Sequence, residues 1–115
     1  MTQSQWMWIV GMVVIVAAFW WMRRATVTSA DARRLVGEGA ALIDVRSRAE
    51  YANGHIQGAK NIPVDELSAR AAEVGARDRP VIVYCASGMR SANAVRILKS
   101  AGYADVRNLG AMGNW

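Results

Sequence analysis

The sequence predicts a small α/β domain with a mainly parallel sheet, preceded by one apolar helix. Short apolar runs typical of strands alternate with helical segments over some 90 residues, which is the pattern of α/β proteins. A separate run, Trp6–Met22, contains no charged residue. With 115 residues and a formal net charge of +5, the chain is long enough for one domain and an appendage, but not for two domains.

The apolar run Trp6–Met22 is 17 residues long. As a helix it extends about 25 Å, which is at the short end for crossing a bilayer. Tryptophans occur near both of its ends, as in the aromatic belts of membrane proteins. These tryptophans are Trp6, Trp8, Trp20 and Trp21. The run therefore predicts a transmembrane helix with a lipid bilayer as its partner.

The charges around this run predict its orientation. A cleavable signal peptide is the alternative, but the tail 1–5 carries no basic side chain to start one. Arginines follow the run at 23, 24, 33 and 34, so the positive-inside rule places the N-terminus outside. The expected order is a tail 1–5, a membrane helix 6–22, a basic linker 23–28 and a cytoplasmic domain 29–115. A single cysteine suits a reducing compartment.

The remaining elements are predicted from apolar periodicity, capping residues and glycines. Strands are expected at 41–45, 59–62, 81–84 and 106–109. Helices are expected from Thr28 or Ser29 to Gly37 or Gly39, over 46–52, from a capping Asp65 to Val74, and from Ser91 to Gly102.

The chain's only cysteine, Cys85, follows the strand Val81–Tyr84 and precedes the helix that opens at Ser91. Ligands of α/β proteins bind at the carboxyl ends of such strands. Loop amides and the helix N-terminus favour a thiolate over a thiol there, so Cys85 is predicted to be acidic and reactive. The alternative is a buried cysteine that acts as a small hydrophobe, the commoner fate of a lone cysteine.

Three segments resemble the rhodanese family, in the order that the family has them. The first runs through Leu42-Ile43-Asp44-Val45-Arg46, Glu50-Tyr51 and 54–63; the second is the loop Cys85–Ser91; the third is Asn108-Leu109-Gly110 with Trp115. The similarity extends from about Thr28 to the end, and a membrane helix before one such domain resembles small bacterial membrane-anchored members. Gln57 stands where many members have proline, and relatives often continue beyond the position of Trp115.

The resemblance implies a five-stranded, mostly parallel sheet with helices on both faces. It also implies sulfurtransferase chemistry, in which Cys85 attacks the outer sulfur of a small anionic donor such as thiosulfate. The resulting persulfide passes its sulfur to a thiol, to cyanide or to a sulfur-acceptor protein, with no cofactor. The substrate loop implied is Ala86, Ser87, Gly88, Met89 and Arg90.

Two roles are open for Arg90: binding an anionic donor, or pairing with a carboxylate such as Asp44 to fix the loop. Asp44 and Arg46 are expected to be supporting residues at a strand end. His55 follows Gly54 at a turn and is expected to buttress that turn by hydrogen bonds. A metal site is not expected, because no Cys, Asp or second His lies at ligand spacing from this histidine.

Other function classes remain as alternatives. A cysteine phosphatase needs five residues between its cysteine and arginine, whereas Cys85 and Arg90 enclose four. The alternative to the sulfurtransferase function is a membrane-tethered persulfide carrier or a non-catalytic rhodanese-like binding module, with a membrane protein as a possible partner. The basic residues are scattered among acids, which disfavours nucleic-acid binding.

Overall fold

The computed structural model describes residues 2–115, except for the side chains of residues 19–25. Four strands form one sheet: β1 (Ala41–Asp44), β2 (Lys60–Asn61), β3 (Val81–Cys85) and β4 (Val106–Ala111). The helices are α1 (Gln3–Ala25), α2 (Ser29–Gly37), α3 (Arg48–Ala52), α4 (Leu67–Arg70) and α5 (Met89–Ser100), with 3₁₀ turns at Ala71–Val74 and Met112–Asn114.

The strand order is β2-β1-β3-β4, and every neighbouring pair is parallel. The α/β class and the parallel sheet are confirmed, but the prediction of five strands is wrong for the part of the chain described. An isolated parallel bridge joins Thr26 to Asn108 at the free edge of β4, where a fifth strand would lie. That extended segment ends at once, because Thr28 already caps α2 by accepting a hydrogen bond from the Asp31 amide.

The two faces of the sheet carry different sets of apolar side chains, as the two-residue period of a strand requires. Odd-numbered residues of β1 and β3, including Cys85, pack with Leu98 of α5 and with Leu67. Even-numbered residues, including Tyr84, pack with Leu35 of α2. Cys85 therefore lies on the same face as α5, the helix that follows it in the chain.

The predicted transmembrane helix is wrong. Among the residues described, no helix has both the length and the apolar character needed to cross a membrane. The apolar run of 17 residues extends only about 25 Å, against roughly 30 Å of bilayer hydrocarbon. Two further predictions depended on this helix and are wrong with it: the lipid bilayer as a partner, and a membrane localisation with a cytoplasmic domain. The side chains at 20, 21, 23 and 24, on which the predicted interface and orientation partly depended, lie outside the described residues.

Two helix boundaries also differ from prediction. Helix α1 continues to Ala25, so part of the predicted linker is helical. Asp65 does not cap a helix: α4 begins at Leu67, with Glu66 in the capping position and no capping side-chain hydrogen bond. The helix then tightens into the 3₁₀ turn Ala71–Val74, which ends at Gly75.

Candidate active site

Strand β3 carries Cys85 to the carboxyl edge of the sheet, where the side chain is fully buried. The chain then turns sharply into α5 through Gly88, the capping residue, whose φ is +96°. A Cβ atom at Gly88 would also meet the backbone of Gly110 at 3.4 Å. That distance is an ordinary van der Waals contact, so the left-handed backbone conformation is the reason why glycine occupies this position.

Two hydrogen-bonding groups reach the Cys85 sulfur from the start of α5. The Gly88 amide donates to Sγ at 2.9 Å, and the Ser91 Oγ lies 3.3 Å from it. Burial opposes ionisation of the thiol, but the Ser91 hydroxyl and the amides of Ser91, Gly88 and Ser87 outweigh it and hold the Cys85 pKa below its ordinary value. The predicted acidic cysteine thus has a structural cause.

Ser91 is a site residue for which the sequence predicted no contact with the sulfur: it was expected to end the loop Cys85–Ser91 and to open the following helix. It is fully buried, and its Oγ also lies 3.1 Å from the Gly88 carbonyl oxygen, to which it donates. A serine hydroxyl has one proton, so it donates either to this carbonyl or to a thiolate. The Gly88 oxygen still accepts from the Ala92 amide at 3.0 Å when the hydroxyl turns to sulfur. The loop therefore accommodates both states of Cys85.

Arg90 makes a two-pronged ion pair with Glu50 of α3, at 2.7 and 3.0 Å. Its carboxylate partner is thus Glu50, and not Asp44, the example considered from the sequence. The bond from Arg90, helped by the Ser47 amide, lowers the Glu50 pKa to about 2. The same pair raises the pKa of Arg90. Helix α3 is held in turn by Ser47, which exchanges capping hydrogen bonds with Glu50.

Asp44 and Arg46 form a second, buried ion pair beneath the site. Arg46 Nη2 lies 2.7 Å from Asp44 Oδ2, and the Arg46 amide donates to Asp44 Oδ1 at 2.9 Å. Arg46 also donates to the Gly54 carbonyl at 2.7 Å. Hydrogen bonding to Asp44 raises the pKa of Arg46. This pair ties the end of β1 to the turn after α3, a position that suits the supporting role expected of both residues.

The rest of the loop faces outward. Ala86 and Ser87 are exposed, and the Met89 side chain is 80% exposed. His55 contacts Tyr51: the two rings stack with their centroids 3.6 Å apart, and His55 Nδ1 donates to the Tyr51 carbonyl at 2.9 Å. Within residues 2–18 and 26–115, no three His, Cys, Asp or Glu side chains are grouped so that they could bind a metal ion.

Residues 28–115 match the rhodanese-like domain family. The chain belongs to this family. Among rhodanese relatives, it is 42% identical over 71 residues to "Thiosulfate sulfurtransferase PspE" of Escherichia coli, covering 61% of this chain and 68% of that protein. It is 39% identical over 105 residues to the human "Thiosulfate:glutathione sulfurtransferase", covering 78% of this chain and 91% of the relative.

A solved rhodanese structure has the same fold. The human single-domain sulfurtransferase TSTD1 superposes with a TM-score of 0.68 at 35% identity, covering 79% of this chain and 91% of its own. Together these relatives show that the chain is a rhodanese-type transferase that moves sulfur.

Proposed function

We propose that the protein takes the outer sulfur of thiosulfate onto Cys85 as a persulfide and passes it to a thiophilic acceptor. The observation that carries the proposal is the sulfur's environment: a buried Sγ with the Gly88 amide at 2.9 Å and the Ser91 hydroxyl at 3.3 Å. These groups stabilise negative charge on sulfur without a neighbouring base. The relatives named as thiosulfate sulfurtransferases support thiosulfate as the donor.

In the first step, the Cys85 thiolate attacks the outer sulfur of thiosulfate. A new S–S bond forms, the original S–S bond of thiosulfate breaks, and sulfite leaves with the bonding electron pair. The persulfide anion lies among the same loop amides that stabilised the thiolate, in the manner of an oxyanion hole. In the second step an acceptor attacks the outer sulfur, and Cys85 leaves as a thiolate.

Arg90 acts in this proposal by bracing the loop. Two of the five N–H donors of its guanidinium are engaged by Glu50, so the side chain is held in place and adds positive charge near Cys85. The ion pair joins α3 to the start of α5 and so fixes the position from which Gly88 and Ser91 contact the sulfur.

The test is transfer of sulfur from thiosulfate to cyanide by the wild type and by Cys85→Ser. Serine nearly matches the volume of cysteine but does not supply a thiolate, so the variant should fold and lose thiocyanate formation entirely. Circular dichroism of both proteins checks the fold. Substantial thiocyanate production by Cys85→Ser would reject Cys85 as the nucleophile.

A further inference from the structure

The end of β4 bends against the sulfur loop at a β-bulge. Asn108 of β4 pairs with Val83, and the register then shifts, so that the next residue of β3 pairs with Gly110. Gly110 has a φ of +87°, and a Cβ atom at Gly88 would lie 3.4 Å from the Gly110 Cα. A bulge bends its strand and re-aims the side chains there. In this protein it brings Asn108 next to the loop.

The Asn108 side chain joins this bulge to the loop. Its Oδ1 accepts a hydrogen bond from the Gly110 amide at 2.8 Å. Its Nδ2 lies 3.5 Å from the Gly88 carbonyl oxygen. The Asn108 backbone is also fixed, because its carbonyl accepts from the Val27 amide at 3.1 Å. Since a backbone N–H only donates and a carbonyl only accepts, these partners determine which end of the Asn108 amide group faces the loop.

Three donors surround the Gly88 carbonyl oxygen, which has only two lone pairs. The Ala92 amide donates to it at 3.0 Å and the Ser91 hydroxyl at 3.1 Å. The third donor is Asn108 Nδ2, and its 3.5 Å is at the outer limit of a hydrogen bond. This long distance is expected while the Ser91 hydroxyl occupies the second lone pair.

Ionisation of Cys85 changes this competition. In the thiol form, the sulfur can donate its proton to Ser91 Oγ at 3.3 Å, while the Ser91 hydroxyl donates to the Gly88 carbonyl. When the thiol proton is lost to water, the sulfur becomes an acceptor only, and the Ser91 hydroxyl turns to it. The Gly88 carbonyl oxygen then has one lone pair to offer to another donor.

We propose that Asn108 is a positioning residue for the Cys85 thiolate, and that its Nδ2 replaces the Ser91 hydroxyl at the Gly88 carbonyl when Cys85 ionises. The Gly88 carbonyl then has two donors in both states, and the hydroxyl is released to the sulfur at little cost. The inference rests on the Cys85 thiolate of the proposed function. It gives Asn108 a role that acts through Gly88 and Ser91.

Charged groups on the elements around the loop are held in ion pairs, which this exchange leaves intact. These pairs are Arg90 with Glu50, Arg46 with Asp44, Arg107 with Asp105, and Arg70 with Glu66 and Glu73. Tyr103, which belongs to the same apolar cluster as Cys85, has its hydroxyl bonded to the Ala71 carbonyl. Replacing Asn108 or Ser91 by alanine changes no charge, so each variant acts on Cys85 through hydrogen bonds.

The test is a double-mutant cycle of Asn108→Ala and Ser91→Ala. Its readout is the midpoint of the pH profile for alkylation of Cys85 by iodoacetamide. Asn108→Ala should raise this midpoint by about 0.5 pH unit, because losing one neutral hydrogen bond lowers the thiolate fraction about threefold. In the Ser91→Ala background the same change should leave the midpoint where it is, since no hydroxyl moves away from the Gly88 carbonyl there.

Asn114→Ala is the matched control. Asn114 lies at the same bulge, where its Nδ2 donates to the Leu109 carbonyl at 3.0 Å, so the variant loosens the bulge and keeps the Asn108 donor. It should leave the midpoint unchanged. Asn108→Asp provides a second variant, because its carboxylate still accepts from the Gly110 amide. Its charge raises the midpoint in both backgrounds, and the rise should be larger when Ser91 is present.

An equal rise of the midpoint in both backgrounds, or no rise for Asn108→Ala in either, would overturn the inference. A rise of the same size in Asn114→Ala would assign the effect to the bulge and would also overturn it. Alkylation does not require sulfur transfer, so these outcomes are independent of the proposed function. Failure of Cys85 to take up sulfur from thiosulfate would instead reject that function.

Discussion

Replacing Ser91 by alanine tests how the fold activates Cys85. The variant removes the hydroxyl that lies 3.3 Å from the sulfur and keeps the Gly88 amide that donates at 2.9 Å. The Gly88 carbonyl keeps its bond from the Ala92 amide, so the helix start should remain intact. The lost stabilisation is that of one hydrogen bond to a charged group, about 1.5 kcal/mol.

This loss affects reactivity in opposite directions at low and high pH. About 1.4 kcal/mol reduces the thiolate fraction tenfold at a pH below the pKa of both proteins. A more basic thiolate is also a better nucleophile, with a Brønsted coefficient of about 0.4–0.5. Alkylation by iodoacetamide should therefore slow only about threefold at low pH and become about threefold faster once both thiols are ionised.

The assay is the pH profile of the second-order alkylation rate of Cys85. The wild type should show an apparent pKa below that of a free cysteine, because the loop hydrogen bonds lower it. Ser91→Ala should shift the profile upward and cross the wild-type curve. Ser100→Ala, an exposed serine at the other end of α5, is the control and should leave the profile unchanged. Superimposable profiles for the wild type and Ser91→Ala would refute the assigned role of the hydroxyl.

Three further predictions concern the loop, its brace and the core. Gly88→Ala forces a residue with a side chain into φ +96°, so it should lower the free energy of unfolding by about 1–2 kcal/mol and slow persulfide formation. Denaturant unfolding that shows unchanged stability would contradict this. Glu50 has a lowered pKa of about 2, so its stabilising pairing with Arg90 is complete above its usual range near pH 4.5 and is lost as pH falls towards 2. Glu50→Gln should remove that part of the acid dependence of the melting temperature, and an identical acid profile would count against the pairing. The buried Tyr103 hydroxyl lies 2.8 and 2.9 Å from the carbonyl oxygens of Ala71 and Gly75 and donates its single proton to one of them at a time. Tyr103→Phe removes this donor and should lower the free energy of unfolding in urea by about 1–2 kcal/mol. A change within the experimental error would show that the hydroxyl does not stabilise the fold.

Local signals in the sequence predicted most of the fold. The β-branched run before Cys85 became the central strand β3, and Thr28 caps α2 as expected. Contacts between residues far apart in the sequence could not be predicted from such local signals. Glu50 and Arg90 are 40 residues apart, and only the packing of α3 beside the loop brings them together. Ser91 did carry a signal, since a serine in the first turn of the helix after the cysteine is placed to face its sulfur.

The errors have physical causes. Asp65 precedes a helical pattern, but Pro63 and the turn after it delay the helix to Leu67, so the expected cap does not form. The fifth strand was implied by the family resemblance, whereas among residues 2–28, the described part of the chain before α2, only Thr26 pairs with β4. The membrane anchor was inferred from an apolar run that was already at the short limit for a span.

The central claim is that Cys85 carries the transferred sulfur, and intact-mass measurement tests it most directly. The purified protein is incubated with thiosulfate, separated from it and weighed, then treated with cyanide and weighed again. The account predicts a gain of one sulfur atom that cyanide removes, and no gain in Cys85→Ser. An unchanged mass in the wild type, or an equal gain in Cys85→Ser, would contradict it.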